Sequence, residues 1–247
     1  MITLNDYLNK DFTINVIKEP FDAWIIDNFL TQESLDVIHQ NWPSNNDPSW
    51  STARETINGK KNILEQGMLS ISNPDDIPSF IQDIFMFFHS DKFVSHISDI
   101  TNVKNLIQEK TMNWSGLRVM LPNSKQMIHS DARINPVNGL RKEITCLLYL
   151  NKEYGKESHG GCLELWDDSM QNCVHEIEPI DNRLVLFRNS DKSYHGVPAV
   201  KKERKAITWS ISSKLSTTSE RKKALFVGRP FDDPEVAKIG LERSLVK

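Results

Sequence analysis

Ile144-Thr145-Cys146-Leu147-Leu148-Tyr149-Leu150 is one of eight short runs, rich in β-branched and apolar residues, that follow one another between residues 112 and 213. The others are 117–121, 126–130, 162–166, 174–178, 184–187, 194–197 and 206–212, each set off by turn residues in the manner of strands. Eight short strands with such punctuation predict a jelly roll, in which two sheets close on each other and leave few backbone edges exposed. The expected fold class is mainly β with N-terminal helices, built on a double-stranded β-helix (jelly roll) core at 112–213.

Outward from that core, residues 1–111 read as a mixed, mostly helical region packing on it. Thr31 is placed as the N-cap of a helix over 32–41, with Glu33 in its first turn and Leu35, Ile38 and Trp42 at core spacing. Residues 21–30 read as a short strand leading into that helix. The segment 43–76 is rich in Pro, Asn, Ser and Asp and reads as a long loop, a candidate lid. Ser79 and Ser90 are placed as caps of two further helices that turn Ile81, Ile84, Phe85 and Phe88, then Phe93, Ile97 and Ile100, inward. Residues 214–247 form a C-terminal extension. It holds a polar linker at 216–219, a basic run Arg221-Lys222-Lys223 that reads as a solvated face, and a helix start at Asp232-Asp233-Pro234-Glu235.

The 247 residues carry 30 basic and 33 acidic side chains, a formal charge of −3. No bulk field draws such a chain to nucleic acid or to an anionic membrane, which leaves a small molecule or a local patch on a larger partner as the ligand. Cys146, Cys162 and Cys173 match neither a zinc spacing nor a disulfide framework and read as reduced thiols. The N-terminus lacks a basic region followed by an apolar stretch, and no apolar run is long enough to span a bilayer. A cytoplasmic protein is expected, with no nucleic-acid or membrane partner and an unknown oligomeric state.

The chemistry-bearing residues are His129-Ser130-Asp131, a distant His195, and Arg204. Two residues apart on a strand, His129 and Asp131 leave the same face and can share one ion. His-x-Asp alone is a weak signal that chance often produces on a surface. His195 adds the third donor on another predicted strand, and two imidazoles with one carboxylate form the facial triad of non-haem Fe(II) oxygenases. Strand alternation puts Arg204 on one face with Ala206 and Thr208, and an inward arginine calls for a carboxylate such as that of 2-oxoglutarate. His39, His89, His96, His159 and His175 read as surface or helix-packing residues.

In order along the chain, His129-Ser130-Asp131, Glu143 to Asn151, Gly160 to Trp166, Ile177-Glu178-Pro179, Arg183 to Phe187, Tyr194-His195-Gly196-Val197 and Arg204 to Trp209 resemble the prolyl-hydroxylase-type 2-oxoglutarate and Fe(II)-dependent dioxygenases. The resemblance implies His129, Asp131 and His195 as the catalytic metal ligands and Arg204 as partner of the C5 carboxylate of 2-oxoglutarate. It also implies Tyr149 as a second hold on that carboxylate. Thr145 and Thr208 fall where small polar side chains line the pocket, though they equally suit β-branched filling of a strand face. The Gly160-Gly161 pair reads as a tight turn.

The implied cosubstrates are Fe(II), 2-oxoglutarate and O2, with ascorbate a candidate reductant. The implied reaction is hydroxylation coupled to decarboxylation of 2-oxoglutarate to succinate and CO2. Asp131 favours hydroxylation over halogenation, since halogenating relatives leave that position vacant. The substrate is left open among amino acids, prolyl or other peptidyl residues, sugars and other small molecules. Nucleic-acid demethylating relatives carry a second arginine six residues after the cosubstrate arginine, where this chain has Ser210. The competing class is a catalytically degenerate jelly-roll binding module.

Overall fold

The computed structural model describes residues 4–51, 56–57, 60–111, 113–214 and 221–245. In chain order the elements are α1 (Leu4–Tyr7), β1 (Thr13–Ile17), β2 (Ala23–Asp27), α2 (Gln32–Asn41), β3 (Thr56–Ile57), β4 (Lys60–Lys61), β5 (Glu65–Ile71), α3 (Ser79–Phe88), α4 (Asp91–Thr101), β6 (Ile107–Gln108), β7 (Gly116–Ser130), β8 (Arg141–Tyr149), α5 (Lys156–His159), β9 (Leu163–Trp166), β10 (Cys173–Ile177), β11 (Arg183–Arg188), β12 (His195–Val197), β13 (Arg204–Ser213), β14 (Leu225–Phe226) and α6 (Glu235–Leu245). Twelve strands form one curled sheet in the order β1-β2-β11-β8-β13-β7-β12-β9-β10, with β5 and β14 also on β7 and β6 on β13. The strand-rich core is a double-stranded β-helix preceded by helices, as the run of short strands predicts.

Period-2 alternation explains the two sides of the curl. On β8, Ile144, Cys146 and Leu148 join the apolar core under the helices, as do Ile207, Trp209 and Ile211 on β13. Residues between them, Thr145 and Leu147 on β8 and Arg204, Ala206 and Thr208 on β13, line the interior cavity instead. Helices α2, α3 and α4 cover the outer face with Leu35, Ile38, Ile81, Ile84, Phe85, Phe88, Phe93 and Ile97. Phe88 lies flat on Trp209 at a centroid distance of 4.4 Å and 8° between planes. Such a stacked pair adds roughly 0.5–1.5 kcal/mol beyond its area burial.

Several boundaries differ from the sequence expectation, each for a local reason. Thr31 and Ser90 cap α2 and α4 through Ser34 N and Phe93 N. The cap of α3 is Pro78, with Ser79 as the first helical residue. The expected strands 117–121 and 126–130 are one strand, β7. Pro122-Asn123 looks like a turn in sequence, but here the strand changes partners, from β13 around Leu117 to β12 and β14 around His129. Asn123 absorbs the change with φ +69° and donates its N–H to Val200 O.

The segment 43–76 is not one long loop. Glu65–Ile71 is a seven-residue strand paired along β7, and Thr56–Ile57 pairs with Lys60–Lys61, while 52–55 and 58–59 lie outside the described residues. The polar linker 216–219 also lies outside them. Among the described residues, no helix is long and apolar enough to cross a membrane.

Candidate metal and cosubstrate site

His129 and Asp131 stand at the end of β7 and just beyond it, and His195 opens β12. The two histidines are register partners across the β7–β12 ladder, and their rings lie 4.3 Å apart. One donor atom from each of His129, Asp131 and His195 falls within 4.8 Å of the others, the one such grouping among the described residues. Sequence separation is irrelevant to this geometry, because sheet pairing delivers both imidazoles to one point. Of the other histidines, His39 has a carboxylate partner, with Nε2 2.9 Å from Asp181 Oδ1. That pair has no third donor.

The donors are prepared for a divalent cation. His129 Nδ1 donates to Met127 O and His195 Nδ1 donates to Ser193 O, each at 2.9 Å, so both rings offer Nε2 to the site. Anchoring of the far nitrogen fixes tautomer and ring orientation in metal-binding histidines. Burial, then the neighbouring His129, pushes His195 down to about 3, so it is a neutral ligand at ordinary pH. Burial alone would raise the Asp131 carboxyl, but the Lys142 ammonium outweighs it and Asp131 is held well below the usual carboxylate range. Two imidazoles that offer Nε2 and one ionised carboxylate fit Fe(II), whose ligands must be deprotonated to bind.

Sequence reasoning missed what surrounds Asp131. Its Oδ2 accepts from Lys142 Nζ at 2.6 Å, Thr145 Oγ1 at 3.1 Å and Asn189 Nδ2 at 3.2 Å, while Oδ1 faces His129 Nε2 at 3.6 Å. Thr145 thus spends its hydroxyl on Asp131 and on Asn189, whose amide it accepts at 2.9 Å. Lys142 sits in a charged run, Arg141-Lys142-Glu143, and nothing in that run marks it as inward-facing.

The triad opens into a cavity of about 900 Å3 whose wall also includes Arg204, Thr208, Leu147, Leu163, Phe187 and Ala206. Arg204 is buried, donates from Nη2 to Tyr149 Oη at 3.0 Å, and lies 4.7 Å from that ring's centroid. Its Nε has no hydrogen-bond partner, and among the described residues no carboxylate pairs with it. A buried guanidinium short of an anion is a seat for one, because an uncompensated buried charge is costly. Gly161, with φ +72°, makes room for this arginine, since a Cβ there would meet Arg204 Cδ at 3.2 Å and Val200 Cγ1 at 2.4 Å. Thr208 Oγ1 is 3.5 Å from the carbonyls of Trp114 and Gly116, at the long limit for a hydrogen bond.

The strand order and curl define a double-stranded β-helix, and the comparisons agree. Residues 115–211 match the family described as the 2OG-Fe(II) oxygenase superfamily. The chain is 33% identical over 89 residues to the mouse (Mus musculus) prolyl hydroxylase EGLN3, and 32% to the human one (Homo sapiens). Each match covers 36% of this chain and 36% of the relative, so the chain spans about a third of the length of the curated relatives it matches.

Among solved structures, a Pseudomonas putida prolyl-4-hydroxylase shares the fold with a TM-score of 0.58 at 16% identity, covering 78% of this chain and 93% of its own. A Trichoplax adhaerens prolyl hydroxylase, solved with a hypoxia inducible factor oxygen degradation domain peptide fragment, gives 0.55 at 20% identity over 78% and 84%.

Proposed function

We propose that this protein is an Fe(II)- and 2-oxoglutarate-dependent dioxygenase that hydroxylates a prolyl residue carried on a peptide, with 2-oxoglutarate converted to succinate and CO2. The observation that carries the reading is a single cavity holding both a complete His129–Asp131–His195 donor set and a buried Arg204 with no carboxylate partner among the described residues. The prolyl choice rests on the relatives, which are named prolyl hydroxylases, one of them solved with a peptide. A degenerate binding module has no support, since both imidazoles and the carboxylate are present and close together.

His129, Asp131 and His195 hold the metal, which when bound supplies oxygen activation. Arg204 and Tyr149 receive the C5 carboxylate, the guanidinium by charge and the phenol by its hydroxyl. Fixing that end orients the keto-acid end toward the triad, the positioning that turns an encounter into an oriented complex. Leu147, Leu163, Phe187 and Ala206 form an apolar wall that keeps water from the reacting groups.

The test is succinate formation from 2-oxoglutarate under air with Fe(II), with and without proline-containing peptides, followed by mass analysis of the peptide. A peptide that raises succinate above the uncoupled level and gains one oxygen atom supports the reading. Failure of every peptide, together with no visible band from anaerobic Fe(II) and 2-oxoglutarate, would overturn it.

A further inference from the structure

The three donors around Asp131 all meet the same oxygen. Lys142, Thr145 and Asn189 converge on Oδ2, and Oδ1 is the oxygen turned toward His129. A carboxylate oxygen has two lone pairs. The Lys142 ammonium, charged and at 2.6 Å against 3.1 and 3.2 Å for the two neutral donors, is the partner that competes with a metal for Oδ2.

Lys142 is the strongest of the three and is itself firmly held. It is buried, its ammonium is 2.6 Å from Oδ2, and the same nitrogen lies 5.1 Å from the centre of the Trp114 ring. A cation over an indole face is a favourable contact, more so when desolvated. Trp114 adopts φ +67°, a left-handed backbone that bulky residues seldom take and that persists only where the surroundings impose it. The ring that seats the ammonium is thus held in place by backbone geometry.

We propose that Lys142, seated on Trp114, is a positioning residue that restricts Asp131 to one-oxygen ligation of the metal. The proposal rests on the oxygenase reading given above. Its consequence is a coordination count. A three-atom protein set on a six-coordinate ion leaves three positions, enough for a two-point keto acid and O2. A carboxylate that swung to bind through both oxygens would remove one of them. Lys142 would therefore protect cosubstrate binding rather than add to metal affinity.

Lys142→Met, Lys142→Arg and Trp114→Leu test this on the full chain. Water-proton relaxation of the Mn(II)-loaded protein counts metal-bound waters, and anaerobic titration of the Fe(II) protein with 2-oxoglutarate reads cosubstrate affinity. Wild type should show about three waters. Lys142→Met should lose one and bind 2-oxoglutarate roughly tenfold more weakly, the lower end of effects seen when a ligand's outer partner is removed. Lys142→Arg should restore the water count, and Trp114→Leu should move both readouts in the direction of Lys142→Met by a smaller factor.

If Lys142→Met fails to fold, Trp114→Leu decides. Three waters and unchanged 2-oxoglutarate affinity in the folded variants would reduce Lys142 to packing and overturn the proposal. A wild type that shows no bound-metal signal and no 2-oxoglutarate band would instead overturn the oxygenase reading itself.

Discussion

Phe226 lies nearly flat on the His129 imidazole, with centroids 4.7 Å apart and 17° between the planes. Strand β14 brings it there by pairing with β7 at that very histidine. Phe226 is buried with Leu64, Met127 and Val236, so it is at once a core residue and the backing of His129, a proposed metal ligand. Phe226→Ala should cost about 3–5 kcal/mol of stability and lower Mn(II) affinity about tenfold. Phe226→Leu should recover most of the stability. Urea melts and metal titrations read the two effects separately, and unchanged metal affinity in a folded Phe226→Ala protein would show the stacking to be incidental.

Arg204→Ala should separate cosubstrate from metal. Removing one member of a buried, hydrogen-bonded charge pair costs at least about 2 kcal/mol, roughly thirtyfold in affinity. That loss should appear in 2-oxoglutarate binding, read from the anaerobic absorption band, with Mn(II) affinity unaltered. His129→Ala and Asp131→Ala should show the reverse order of damage, losing the metal first. Equal 2-oxoglutarate affinity in Arg204→Ala and wild type would remove that arginine from the site.

Arg229 sinks into the sheet behind the histidine strands. Its Nη2 donates to Glu164 Oε2 at 2.6 Å and to Gln126 O at 3.3 Å, and both charged side chains are almost wholly buried. Arg229→Met leaves Glu164 as an uncompensated buried charge and should destabilise by about 3–5 kcal/mol. The double variant Arg229→Met with Glu164→Leu should recover a large part of that loss. A double variant as unstable as the single one would mean that the charges, not the burial of one without the other, set the cost.

Stability should fall with acid through His89. Burial holds this imidazole below its ordinary value, although the Phe85 carbonyl and Glu109 pull the other way. The unfolded chain takes up a proton below about pH 6.5 while the folded chain resists it, so stability is full above that pH and declines as pH falls toward the folded value. His195 contributes in the same sense in the metal-free protein. His89→Asn should flatten the acid limb by up to about 1.4 kcal/mol per pH unit. Superimposable pH profiles from urea melts of the two proteins would contradict the assignment.

Local signals in the chain are readable where one residue type meets one local need. Thr31 and Ser90 precede apolar 3.6-residue patterns, and both cap as expected. The inward face of β13 follows from alternation alone, because Arg204, Ala206 and Thr208 are two apart. Strand β5 is not readable in this way. Gln66, Gly67 and Met68 break its alternation, and buried Glu65 draws partners such as Gln126 and Arg243 from elsewhere in the chain. Lys142 hides for the same reason: its meaning lies in Asp131 and Trp114, eleven and twenty-eight positions away in the chain, and no local pattern connects the three.

His129 and His195 face each other as register partners on adjacent antiparallel strands. Their spacing is therefore a property of the ladder, and a slip of one residue would throw a ring to the opposite face. The loops that frame the cavity carry no part of that constraint. Under the oxygenase reading, the loops around the cavity can therefore be rebuilt by mutation while the spacing of the two imidazoles keeps its shape.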